Sequence, residues 1–471
     1  MGWQDYDTTR AKKRLIVLCD GTWMNSDYGY VKPGLLSGKG GLQVPSNVTR
    51  ISRCFKRRCA DGTLQIINYE SGVGSGSNML DSVTGGAFGV GLAERVREAY
   101  AYLCANYRDG DEIFLVGFSR GAFTARSVAG MISKLGLLTR EGVEHFYPIF
   151  KDMQHWTDDD YDDPFPNSPF SDKPKGPNAD DEYRVRLAKM GYTRIVQQNG
   201  APITIKAVCV WDTVGSLGIP RIAWLEKVWF PGNHGNCGGG WDDQGIANAT
   251  LAWMMDQMTS VGVEFDRPSL DRVIQQSSEF YLQARSQTTK TSRRAMQQWA
   301  VDAIRATVLC VHGRETTRTP GIYRQVDPKT KVERGKFLED TNESVHSSVR
   351  VRLACEGLGL NDQSIWTCRA LSEWRLKRVT VARDVPVRDA NGREYYKEQL
   401  EDRWVWKYVG DDRVAPEDPN QRTMWEEPLG YYERYLLDIS GGAPNVFDYA
   451  EKRANKSKRR KPSSRPRRRR P

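Results

Sequence analysis

The sequence predicts an α/β protein: a doubly wound, mainly parallel sheet with helices on both faces, then a mixed C-terminal region and a disordered basic tail. Three observations lead there. Short apolar strands alternate with helical segments through the N-terminal half. One of those strands runs straight into Gly117-Phe118-Ser119-Arg120-Gly121, and a helical pattern follows at once. The strongest later apolar run, Ile203 to Trp211, stops at an acid, Asp212.

Taken in order, Lys13 to Cys19 reads as a buried strand that ends at Asp20-Gly21-Thr22. Leu64 to Tyr69 is a second strand, and Gly72 to Gly76 a loop after it. Leu92 to Tyr107 is amphipathic at helical spacing. Asp111 to Val116 is the next strand, and Ala122 to Leu135 the helix beyond the Gly-rich turn. Lys151 to Asp181 interrupts the alternation with acids, Pro, Ser and Asn, and reads as a long acidic surface loop. It lacks the D-x-[DN]-x-[DN]-G frame of a calcium loop. Lys227 to Phe230 is a strand that leads to His234, and Gly238-Gly239-Gly240 a flexible loop. Ile246 to Val261 is helical, with Leu251, Met254, Met255 and Met258 facing a core. Arg267 to about Arg305 reads as polar helix, and Trp366 to Arg383 and Glu394 to Tyr408 as strands. The expected organisation is a core over 1–262 with the insertion at 151–181, a mixed region over 263–450 packed on it, and a tail over 451–471.

Composition excludes several classes. No apolar run approaches the roughly 18 residues of a membrane span. The first residues lack the apolar stretch of a signal peptide, and Tyr6 stands where a myristoylation motif has Ser or Thr. The nine cysteines are scattered without C-x-x-C spacing. This points to reduced thiols, a cytoplasmic or nuclear location and no zinc site. The formal net charge is +10, yet 12 of the 69 Lys and Arg lie in 452–471, which holds no acid. The body is therefore close to neutral. A run of like charge with Pro and Ser does not order itself. Such a tail can serve nuclear import, contact nucleic acid or an anionic membrane surface, or only add solubility.

Strand, sharp turn with G-x-S-x-G, and helix form the nucleophile elbow of an α/β-hydrolase. The turn forces Ser119 into strained backbone and lifts its hydroxyl out of the sheet. Gly117 and Gly121 leave room where a Cβ would collide. The Arg120 N–H opens the helix and can face a developing oxyanion. This fold supplies its triad in the order serine, acid, histidine. Asp212 suits the acid, and His234, one strand later, suits the base. His312 follows another apolar run, Ala306 to Val311, and remains a rival; His346 is a weaker one. A second oxyanion N–H falls to Gly21, and Asp20, Thr22, Gly72 and Gly74 fall at the rim. Asp20-Gly21-Thr22 lacks the aspartate two residues earlier that phosphatase chemistry needs, since Leu18 is there. Gly72 to Gly76 lacks the third glycine of a dinucleotide loop, since residue 77 is Ser77. No metal or organic cofactor is expected.

These segments resemble a known family. Leu18 to Trp23, Gly72-Val73-Gly74, Gly117 to Arg126, Val210 to Gly218 and Trp229 to Trp241 are similar to the α/β-hydrolase-domain family that includes the first group of bacterial type VI secretion lipase effectors. The family is also abundant in fungi. The resemblance covers roughly residues 12–262. It implies an α/β-hydrolase fold, a nucleophile at Ser119 and, by analogy with the bacterial effectors, phospholipase A activity. The expected function is a serine esterase or lipase acting on lipid or phospholipid acyl esters. Two departures stand out. Only Ile219 to Lys227 separates the Trp-Asp-Thr-Val strand from the next, and Asn236 or Cys237 stands where the family carries an aspartate. The alternative they leave open is a catalytically degenerate hydrolase fold acting as a scaffold, with the basic tail contacting nucleic acid or an anionic membrane.

Overall fold

The computed structural model describes residues 11–21, 30–31, 41–72, 90–158, 160–213, 226–286, 318, 320–321, 324–326, 332–337, 341–356, 366–388, 394–411 and 422–439. Thr22, Gly74, His312, the segment 214–225 and the basic tail lie outside them.

The chain divides into two compact units. The first holds 1–221, 237–242 and 254–276; the second holds 222–236, 243–253 and 277–471. The first unit is built on four parallel strands: β1 (Lys13–Cys19), β2 (Leu64–Glu70), β3 (Glu112–Phe118) and β4 (Ile205–Trp211), in the order β2-β1-β3-β4. Leu15 to Leu18 and Ile113 to Val116 are wholly buried. Continuous apolar runs are what strands of a parallel sheet need when both faces are covered. Helix α1 (Asn47–Ser52) lies between β1 and β2, α2 (Val90–Asn106) between β2 and β3, and α3 (Arg120–Leu135) follows β3. From β1 to β2 the chain steps one way along the sheet; from β2 to β3 and from β3 to β4 it steps the other. The strand order therefore reverses its direction between β1 and β3, so the sheet is parallel with helices in its connections and has a switch point at that pair.

A largely buried cation ties the acidic insertion together. Helix α4 (Phe146–His155) and helix α5 (Ala179–Lys189) take the first and last residues of the predicted loop, so the loop itself is confined to 156–178. Between them Lys173 Nζ donates to Asp152 at 2.9 Å, Asp163 at 2.7 Å and the Phe165 carbonyl at 2.7 Å. The Tyr183 hydroxyl donates to the other Asp152 oxygen at 2.5 Å. Burial pushes the Asp152 carboxyl up, against the pull of Tyr183 and Lys173. Lys173→Met is expected to leave Asp152 buried without its cation and to cost about 2–3 kcal/mol, below the usual range for a broken buried pair because Asp163 keeps contact with water. Hydrogen exchange should show the loss within 156–178; protection equal to wild type there would remove this role from Lys173.

The second unit carries a mixed five-stranded sheet. Its strands are β5 (Lys227–Trp229), β6 (Glu343–His346), β7 (Trp374–Arg388), β8 (Glu394–Tyr408) and β9 (Thr423–Glu427), in the order β7-β8-β9-β6-β5. Strand β6 runs parallel to β5 and β9, while β7, β8 and β9 pair antiparallel. The strand before His234 therefore belongs to this sheet and not to the parallel one. Val345, Val349, Leu371, Trp374, Trp406 and Met424 form its core. The predicted strand from Trp366 begins only at Trp374, because a short 3-10 turn occupies Arg369–Leu371. Leu251 of this unit is buried, and so are Met254, Met255 and Met258 of the first unit. Among the described residues no helix is long and apolar enough to cross a membrane.

Candidate active site

The turn between β3 and α3 has the geometry its glycines imply. Ser119 sits at φ 58°, ψ −121°, a conformation that side chains with a Cβ adopt only under constraint. A Cβ on Gly117 would lie 2.5 Å from the Gly121 carbonyl oxygen and 2.7 Å from the Ala122 nitrogen. A Cβ on Gly121 would lie 2.1 Å from the Cys19 carbonyl oxygen. Both positions are closed to any larger residue, so strand and helix can fold back on each other around Ser119. The Ser119 N–H donates to the Trp211 carbonyl at 3.1 Å, which ties the turn to the end of β4. Arg120 is the first residue of α3, so its N–H stands at the positive N-terminal end of that helix, directly after Ser119.

Parallel register brings the second predicted residue alongside. Phe118 is paired with Trp211, so Ser119 and Asp212 both leave the sheet one residue past the last matched pair. Neighbouring strands stand about 4.8 Å apart. Asp212 also takes a positive φ, 36°. On the other side Gly117 is paired with Cys19, which sets Asp20 and Gly21 beside Phe118 and Ser119. A Cβ on Gly21 would meet the Phe118 ring at 2.9 Å and the Ser119 Cβ at 3.4 Å. These residues crowd the carboxyl edge of the sheet where its strand order reverses, the place where open α/β sheets bind ligands.

Gly21 differs from the sequence-based expectation in one respect. Its N–H donates to the Asp20 carboxylate at 2.7 Å. The same carboxylate accepts from Ser46, Thr49 and Tyr69. None of these three is singled out by the sequence motifs. The available signal was Ser46, an N-cap serine one residue before α1, whose hydroxyl also accepts the Thr49 N–H. Gly72 ends the described stretch after β2 and is buried.

The histidines separate by environment. His145 bonds Ser168 at 2.9 Å and stacks on Tyr192, and His155 stacks on Tyr161. His346 is wholly buried; its Nε2 lies 2.5 Å from Glu433, its Nδ1 accepts from Ser348, and its ring stacks on Phe230. Those contacts account for a structural histidine. His234 opens helix α6 (His234–Gly238) rather than standing on a loop. The turn before it is locked within the second unit: Asn233 and Asn236 exchange side-chain to backbone hydrogen bonds, and Gly232 at φ 106° lies against the Asn236 side chain. The triple glycine is not a free loop. Gly238 lies where a Cβ would enter the Phe118 ring, Gly239 bridges Ser46, and the Gly240 N–H donates to the Pro45 carbonyl.

The model of one protein family, described as the type VI secretion Tle1-like phospholipase effector catalytic domain, matches residues 13–227 and 224–257. The match spans the parallel sheet, the Ser119 turn, Asp212 and His234. The chain belongs to this family. An uncharacterised protein of Saccharomyces cerevisiae, YEL023C, is 33% identical over 135 residues, covering 24% of this chain and 19% of the yeast protein. The chain thus spans about a fifth of that relative's length. No solved structure matches it.

Proposed function

We propose that the protein is a serine hydrolase of lipid acyl esters, built on an α/β-hydrolase fold. One observation carries the proposal: Ser119 is held at φ 58° between a buried strand and a helix, at the carboxyl edge of a parallel sheet. Nothing in packing alone requires a hydroxyl in so costly a backbone conformation. Membership of a phospholipase effector family points to a lipid ester as the substrate class.

The chemistry runs through an acyl-enzyme. Ser119 Oγ attacks the ester carbonyl as His234 takes its proton. Asp212 orients the imidazole and balances its charge. The tetrahedral oxyanion takes a hydrogen bond from the Arg120 N–H, favoured further by the positive end of α3. The C–O bond to the alcohol breaks, and His234 returns the proton to the leaving oxygen. Water, deprotonated by His234, then cleaves the acyl-enzyme, and Ser119 regains its proton. Gly21 contributes the room beside Ser119, since the Asp20 carboxylate holds its N–H.

A fluorophosphonate probe tests this directly. It should form one adduct per chain, and peptide mapping should place that adduct on Ser119. Absence of an adduct on a folded protein that also fails an ester panel would favour the scaffold alternative.

A further inference from the structure

We propose that Asp20 is a positioning residue for this reaction, holding the backbone against which Ser119 and the start of α3 rest. The role depends on the hydrolase reading of Ser119.

Asp20 is 3% exposed. Four donors converge on its two oxygens: the Gly21 N–H at 2.7 Å, Ser46 Oγ at 2.7 Å, Thr49 Oγ1 at 2.8 Å and the Tyr69 hydroxyl at 2.7 Å. They come from the turn after β1, from the cap and first turn of α1, and from β2. Burial raises the carboxyl above its ordinary value, against the downward pull of the bonds from Ser46, Tyr69, Thr49 and Gly21. Only an acceptor-only group can receive all four at once.

The backbone that this carboxylate fixes is the backbone that meets the nucleophile. Turning the Gly21 N–H onto Oδ1 sets the peptide plane between Asp20 and Gly21. That plane puts the Asp20 carbonyl oxygen 2.5 Å from where a Gly121 Cβ would be, and Gly21 against Phe118 and Ser119. The Asp20 N–H meanwhile continues the sheet by donating to the Glu70 carbonyl at 3.0 Å. The carboxylate therefore acts on the reacting atoms through the main chain, without touching them.

Asp20→Asn places an amide donor among four donors. Its kcat on a soluble ester should fall roughly tenfold to a hundredfold while KM stays within about twofold, as for a small misplacement of reacting groups. Affinity for a trifluoromethyl ketone, which forms a tetrahedral adduct with the serine, should fall by the same factor as kcat/KM. Tyr69→Phe, which keeps three donors, should show the same pattern more weakly. Calorimetry gives the folded fraction for each variant. The proposal is overturned if kcat per folded molecule is unchanged in both variants, or if the loss appears in KM with ketone affinity intact. Ser119→Ala run alongside keeps the two ideas apart: an active Ser119→Ala protein sinks the hydrolase reading, whatever Asp20 does.

Discussion

Ser119→Ala is expected to abolish ester turnover, a loss of several orders of magnitude, and to leave the fold intact. The nucleophile of a triad has no substitute, so what remains is the background supplied by binding and the oxyanion donor. Alanine keeps the Cβ, so the strain at φ 58° is unchanged and stability should move by less than about 1 kcal/mol. Triad members act as a unit, so Ser119→Ala/His234→Ala should be little slower than Ser119→Ala alone. Single-turnover kinetics with a chromogenic ester, beside thermal unfolding of each variant, measures both halves. His234→Ala and His312→Ala belong in the same series. A dead His312→Ala beside a fully active His234→Ala would move the base to His312 and keep the reaction class.

The residues of this site were legible in the sequence to the extent that their geometry is local. Gly117, Ser119 and Gly121 constrain one another within five positions, so strand, turn and helix follow from their spacing. The position of Asp212 just past a strand end was legible because the apolar run that becomes β4 stops at Trp211. The Asp20 cluster was not, because its donors Ser46, Thr49 and Tyr69 stand 26, 29 and 49 residues away. Each is an unremarked polar residue until the sheet and α1 bring it in. The sheet to which β5 belongs was not legible for a like reason. Lys227 to Phe230 has the apolar content of any strand, and its partner β6 begins more than a hundred residues later, at Glu343. Gly238 to Gly240 looked mobile by composition, yet tight packing on Phe118 and Ser46 gives the same glycines a steric purpose. In the insertion, the tie from Lys173 to Asp152, Asp163 and the Phe165 carbonyl could not be told from composition, which shows only many acids and a few lysines.

Gly121→Ala offers a second large effect, one whose sign runs against helix propensity. In an exposed helix interior, alanine is favoured over glycine by roughly 1 kcal/mol. At position 121 the new methyl would stand 2.1 Å from the Cys19 carbonyl oxygen and 2.5 Å from that of Asp20. Both are main-chain atoms at the end of a buried strand, and neither can swing aside as a flexible side chain would. The start of α3 must instead lift off β1 by about an ångström, at a cost of roughly 1–3 kcal/mol as in other overpacked cores. The lift carries Ser119 and the Arg120 N–H with it, so kcat should fall about a hundredfold even in the molecules that stay folded. Gly62→Ala is the control. Gly62 has φ +85° with nothing within 4 Å of its added Cβ, so it tests backbone strain without collision, and turnover should be untouched. Calorimetry for both variants, with kcat measured well below their melting points, separates the two costs. If Gly121→Ala melts and turns over like wild type, then α3 is not seated on β1 as closely as these distances require, and the strained turn at Ser119 loses the packing that enforces it.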